Sequence, residues 1–81
     1  MRVTVRFFAR LKELAGAETM VVEVEEPATV AMVWRAAAVL APALNPFERA
    51  ISCAVNATFS RMSHTVSEGD DVAFLPPVSG G

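Results

Sequence analysis

The chain has 81 residues, a 53% hydrophobic fraction, one cysteine and a formal net charge of −2; this excludes disorder and sets an expectation of one small domain with a real core. The acidic balance argues against general nucleic-acid binding, and a lone Cys53 excludes an internal disulfide. No continuous apolar run resembles a signal peptide or a membrane span, since the longest, Ala36 to Leu44, is broken by Pro42, so a cytoplasmic protein with neither nucleic acid nor membrane as partner is expected.

Arg2 to Phe8 alternates, with Val3, Val5 and Phe7 on one side and Arg2, Thr4, Arg6 and Phe8 on the other, which predicts a half-buried strand. Ala9 to Ala15 places Leu11, Leu14 and Ala15 at helical spacing and ends at Gly16, a C-terminal cap. Thr19 to Glu25 alternates again, with Met20, Val22 and Val24 opposite Glu23 and Glu25; the short connection favours antiparallel pairing with the first strand. Thr29 is placed to N-cap a helix whose apolar stripe is Val30, Val33, Trp34, Ala37, Leu40 and Ala41. Pro42 and Pro46 stop that helix and leave Ala43 to Arg49 as an irregular link. Ile51 to Val55 predicts a strand with Ile51, Cys53 and Val55 on one side, followed by a turn at Asn56-Ala57 and a short strand around Phe59. Glu68-Gly69-Asp70-Asp71 is a turn signal before a last strand, Val72 to Leu75.

One amphipathic helix covering one face of a mixed sheet of about five strands makes a two-layer α+β domain. With the first and last strands adjacent and parallel in the centre, this is the β-grasp, or ubiquitin-like, arrangement. It is expected over residues 1–75, with residues 76–81 as an extended arm. In that arm, Pro76 and Pro77 fix φ and remove backbone donors, and Gly80-Gly81 has no side chain to obstruct a narrow slot. From Pro77 onward the arm reaches about 16 Å if fully extended. Such an end suits a chain whose reactive group is its own α-carboxylate; the plainer reading is a frayed terminus.

The usual catalytic sets are missing. One cysteine and one histidine cannot make a four-ligand zinc site. Cys53 falls on an inward strand face, where it is a small hydrophobe, and His64 falls in a loop. Gly16 and Gly69 read as cap and turn, so no phosphate-binding loop exists. Arg2 and Arg6 share a strand face that Glu23, Glu25 and Glu26 on the neighbouring strand are expected to balance. Phe8 is out of phase with Val3, Val5 and Phe7, and Phe59 and Leu75 fall near the strand ends beside the arm; exposed, the three form a partner-binding patch, the alternative being that Phe8 and Phe59 fold into a satellite core.

The run Glu68 to Gly81, together with Phe7-Phe8-Ala9-Arg10-Leu11-Lys12-Glu13-Leu14-Ala15-Gly16 and Val55-Asn56, resembles the small subunit of molybdopterin synthase, a ubiquitin-like sulfur carrier. The similarity runs the full length but is one of pattern only between Ala28 and Arg49. It implies a subunit that is no enzyme by itself and binds no cofactor or metal. Gly81 would be adenylated by an ATP-dependent activating enzyme, converted to a thiocarboxylate with sulfur from a persulfide donor, and inserted into the large catalytic subunit. There its sulfur would pass to cyclic pyranopterin monophosphate in molybdenum cofactor biosynthesis, in a heterotetramer. The resemblance further implies that Gly80 fits the slot, that Val78 and Ser79 line the arm, that Pro76-Pro77 set its exit, and that Phe8, Phe59 and Leu75 touch the large subunit. Carriers for tRNA thiolation or thiamine biosynthesis, and ubiquitin-like modifiers joined to lysines, use the same terminal chemistry and stand as alternatives.

Overall fold

Strand β1 (Arg2–Phe7) alternates in burial as it alternates in sequence, with Val3, Val5 and Phe7 buried and Arg2 and Arg6 exposed. The structure, a computed structural model, describes residues 1–77. Helix α1 (Arg10–Ala15) stops at Gly16, whose φ of 70° turns the chain out of the helix and whose N–H donates to the carbonyls of Lys12 and Glu13. Strand β2 (Thr19–Glu23) returns antiparallel to β1, Val3 facing Val22 and Val5 facing Met20.

A two-residue strand β3 (Ala28–Thr29) leads into helix α2 (Val30–Leu40). Thr29 caps it: its Oγ1 accepts from the Met32 N–H at 3.4 Å. The N–H groups of Val30 and Ala31 donate to the carbonyls of His64 and Met62 at 3.0 and 2.9 Å. The first two donors of the helix are therefore satisfied by the loop that crosses it, and the third by Thr29. Strands β4 (Ser52–Val55) and β5 (Thr58–Ser60) form a hairpin, β6 (Thr65–Val66) pairs with β3, and β7 (Asp71–Leu75) closes the main sheet.

That sheet has the order β2-β1-β7-β4-β5, with β7 parallel to β1 and antiparallel to β4. The first and last strands thus meet at the centre, and the fold is a β-grasp. Helix α2 packs Val30, Val33, Trp34, Ala37 and Ala38 onto one face. Trp34 meets Phe74 edge-on with ring centroids 4.9 Å apart, and Phe74 stacks on Phe7 at 6.4 Å. The Trp34 indole N–H has no hydrogen-bond partner among the described residues. Leaving it so costs about 1–3 kcal/mol. Burying an aromatic of this size returns about 4–6 kcal/mol at 25 cal/mol per Å², so packing wins.

Three expectations change. Leu40 leaves the core and is 66% exposed, while Ala38 is buried in the stripe Val30, Val33, Trp34, Ala37, Ala38, Ala41. Those six keep the spacing i, i+3, i+4, i+7, i+8, i+11, and Leu40 falls beside it. Pro42–Phe47 is a 3₁₀ turn rather than an irregular link, with Pro42 at its start and Leu44 buried beneath it; proline's fixed φ suits that position. The strand that begins at Thr19 ends at Glu23, although the Val24 N–H still donates to the Met1 carbonyl at 3.0 Å.

Between β4 and β5, Asn56 and Ala57 both have left-handed backbone, φ 49° and 70°. This is the two-residue hairpin geometry that favours Asn-Gly, because a Cβ in the left-handed region costs about 1–2 kcal/mol. Ala57→Gly is therefore expected to stabilise the domain by about 1 kcal/mol and raise its melting temperature by about 4–8 °C. Thermal unfolding checks this, and a lower melting temperature contradicts the assigned turn.

Candidate functional site

The face of the sheet opposite α2 is built from the other half of each alternation: Arg6 and Phe8 from β1 and its extension, Asp71, Ala73 and Leu75 from β7, Ala54 from β4 and Phe59 from β5. Register makes one row across it, in which Arg6 faces Ala73, Ala73 faces Ala54 and Ala54 faces Phe59. Two alanines floor the centre, with Phe59 at one end of the row, Arg6 at the other and Phe8 two residues beyond Arg6.

Phe8 is held beside the end of β7 because its N–H donates to the Phe74 carbonyl at 3.3 Å. It is 46% exposed, next to the half-buried Leu75. Phe59 is 75% exposed. Between β1 and β5 lie β7 and β4, so Phe8 and Phe59 are separated by about 14 Å of sheet. Phe8 and Leu75 are thus brought together, Phe59 stands apart, and neither phenylalanine belongs to a satellite core. Each exposed phenylalanine offers about 1.5–3 kcal/mol if a partner buries it fully. Ala9, directly after Phe8, has φ 51° and ψ −126°, a strained conformation for alanine that turns the chain from β1 toward α1.

A shallow cavity of about 260 Å³ opens on this face between Arg6, Phe8, Asn56, Ala57, Asp71 and Ala73. Arg6 Nε donates to Asp71 Oδ2 at 2.7 Å. The expected balance of Arg6 by Glu23, Glu25 or Glu26 does not form; the parallel pairing of β1 with β7 supplies Asp71 instead, and it is Arg2 that reaches Glu23, at 3.3 Å. Both pairs are solvated and contribute under about 1 kcal/mol each, so their role is to set charge pattern more than stability.

Asn56 is a residue whose role the sequence pattern does not announce. Its Nδ2 donates to Asp70 Oδ1 at 3.0 Å, its Oδ1 accepts from the Asp71 N–H at 3.0 Å, and its own N–H donates to the Asp71 carbonyl at 2.7 Å. This clasp fixes the start of β7, and with it the line along which β7 leaves the sheet. The one available signal is an asparagine at a hairpin turn.

β7 is the middle strand of five, and it ends at Leu75 with Pro76 half-buried and Pro77 exposed. Val78, Ser79, Gly80 and Gly81 lie outside the described residues. Cys53 is buried, its thiol donates to the Ser60 carbonyl at 3.2 Å, and burial pushes its pKa up, which disfavours a thiolate nucleophile. Among the described residues no group of three or more His, Cys, Asp or Glu is placed to hold a metal ion, and no helix is long and apolar enough to cross a membrane.

In sequence and overall fold the chain is similar to known proteins. The chain is 36% identical over 80 residues to the molybdopterin synthase sulfur carrier subunit of Escherichia coli (strain K12), covering 98% of this chain and 99% of that one. It superposes on SAMP1 from Haloferax volcanii with a TM-score of 0.87 and 31% identity, both chains covered completely. It also superposes on a chain from the complex of subunits 1 and 2 of the molybdopterin-converting factor from Helicobacter pylori 26695, with a TM-score of 0.69, 26% identity and both chains again covered completely. The ThiS family model matches residues 5–81, from the middle of β1 through the final glycine, and the chain belongs to the ThiS family.

Proposed function

We propose that the chain is the sulfur carrier subunit of a molybdopterin synthase, acting in the cytoplasm and without catalytic residues of its own. The observation that carries this reading is the end-to-end likeness to a sulfur carrier subunit of that enzyme. The outer face supports it: Phe8 and Leu75 beside the exit of β7, and Phe59 across an alanine floor, suit a large partner that receives the C-terminal arm.

The chemistry assigned to Gly81 stems from what a carboxylate cannot do. An ionised carboxylate is a poor electrophile, because attack adds charge and must expel oxide. ATP in an activating enzyme converts it to an acyl adenylate, releasing pyrophosphate and creating a good leaving group. A persulfide donor then displaces AMP, and a thiol reduces the resulting acyl disulfide to leave the thiocarboxylate. In the large subunit this sulfur attacks cyclic pyranopterin monophosphate, and water returns Gly81 to its carboxylate. Gly80 and Gly81 pass the narrow approach, Val78 and Ser79 line the arm that enters it, and Pro76 and Pro77 set its exit from the domain. ATP belongs to the activating enzyme; this chain holds no cofactor.

Incubation with an activating enzyme, ATP and a persulfide donor, followed by intact-mass analysis, tests the reading. The expected product has one oxygen replaced by sulfur, located at Gly81. An unchanged mass with enzymes shown to be competent would falsify it. A second reading, a modifier joined through Gly81 to lysines, draws on the likeness to small archaeal modifier protein 1. An isopeptide adduct on lysine in place of pterin sulfuration separates the two.

A further inference from the structure

The β2 edge of the sheet carries a second apolar surface that the sulfur chemistry leaves unused. In the antiparallel ladder with β1, the Phe7 N–H donates to the Glu18 carbonyl at 2.9 Å and the Val24 N–H to the Met1 carbonyl at 3.0 Å. Alternation between these two points makes Val5 with Met20, and Val3 with Val22, the hydrogen-bonded pairs. Thr19, Val21 and Glu23 therefore direct their N–H and C=O groups away from β1. No strand lies on that side among the described residues.

Helix α2 runs along the same edge. Arg35 is its one charged residue, and Arg35 Nε is engaged by Glu48 at 3.3 Å. A solvated helix face normally carries several charges. Here Val39 is 79% and Leu40 66% exposed, and Val21 of β2, whose side chain alternates to the other face of the sheet, is 57% exposed at the rim. With Val22, Glu23 and Ala36 they line a groove of about 350 Å³ between helix and edge strand. An apolar groove flanked by free backbone donors and acceptors is the arrangement that accepts an added strand.

Charge selects the occupant. Glu18 immediately precedes β2, Glu23 ends it and Glu25 follows two residues later; all three are exposed, with Arg2 paired to Glu23. A second copy would set the same carboxylates against these, and like charges across strands repel. A strand with alternating apolar residues and basic flanks matches both the groove and its rim. We infer that the groove between β2 and the C-terminal half of α2 is a docking site for an extended, lysine- or arginine-flanked segment of another protein, which adds to the sheet beside β2. β2 and β5 are opposite edges. Occupancy is therefore compatible with a partner that covers Phe59.

The full chain, labelled with nitrogen-15, is titrated with the synthetic peptide Lys-Arg-Val-Thr-Val-Ile-Lys-Arg and with Glu-Glu-Val-Thr-Val-Ile-Glu-Glu. The basic peptide is expected to saturate with a Kd below about 1 mM and to move the amide signals of Thr19, Val21 and Glu23 most. The acidic peptide is expected to bind at least about tenfold more weakly. Leu40→Ser, on the helix side, and Val21→Pro, which removes an outward N–H and no bond to β1, are each expected to weaken binding by about tenfold. If Val21→Pro fails to fold, Leu40→Ser gives the reading by itself. Absence of saturation, equal affinity for the two peptides, shifts centred on Phe8 and Phe59, unaltered binding by Leu40→Ser, or self-association of the chain through β2 each overturns the inference. Because neither substitution touches the Phe8, Leu75 or Gly81 region, thiocarboxylate formation by the variants reports separately on the sulfur-carrier reading.

Discussion

Removal of Gly81 is expected to lower sulfur transfer to the pterin acceptor by at least about 10²-fold, although the shortened chain still ends in a glycine carboxylate. The functional group survives the deletion; its position does not. One residue of extended chain spans about 3.3–3.6 Å, and a misplacement of about 1 Å at a reacting centre already costs about two orders of magnitude in rate. Adding a third glycine displaces the acyl group in the opposite sense and is expected to be as damaging. Among the described residues the buried core runs from Val3 to Phe74, so the fold is expected to bear either change. Thermal stability is expected to stay within about 0.5 kcal/mol of the parent chain. Single-turnover transfer from purified thiocarboxylate to the large subunit's pterin, beside a melting curve, measures both. Transfer at the parent rate, or a collapse of the fold, contradicts the assignment of the last acyl group as the working part.

The sequence is most legible where a periodicity runs long enough to have a phase. Val3, Val5 and Phe7 repeat every second residue, and all are buried. The α2 stripe is equally readable until its last turn, where the hydrophobicity of Leu40 points to the core although its angular position lies beside the stripe. β3 and β6 have two residues each, too few for alternation to register. The 3₁₀ turn at Pro42–Phe47 is hidden because prolines that end an α-helix also begin a tighter one.

Contacts across the parallel pair are harder still. Arg6 and Asp71 are 65 positions apart and meet only because β1 and β7 lie side by side. Composition makes Glu23, Glu25 and Glu26 look the natural partners. At the site, the outward aim of Phe8 is readable from its being out of step with Phe7. The exposure of Phe59 is not, because a single aromatic in the three-residue β5 carries no phase of its own. The Asn56 clasp joins two turns that are distant in sequence, and its effect on β7 is visible only once both turns are placed.

Phe74→Ala and Leu75→Asp are expected to fail in opposite ways, though the two residues are neighbours. Phe74 is fully buried, with Trp34 edge-on at 4.9 Å and Phe7 stacked at 6.4 Å. Its truncation leaves a cavity in the one aromatic cluster among the described residues that joins helix to sheet, at a cost of about 3–5 kcal/mol. Small domains hold about 5–15 kcal/mol in total, so a large share of the stability goes and the melting temperature falls by more than about 10 °C. Leu75 points to the other face, opposite Ser52 on β4 and half-buried. An aspartate there keeps its water in the free chain, and the fold is expected to lose no more than about 1 kcal/mol. Covered by a partner, the same carboxylate is desolvated without a cation, so binding to the large subunit is expected to weaken by at least about 2 kcal/mol, roughly 30-fold. Melting curves and a titration against the large subunit separate the two losses. A Leu75→Asp chain that binds as tightly as the parent removes this face from the interface. A Phe74→Ala chain that melts with the parent removes Phe74 from the core contact that sets the position of β7.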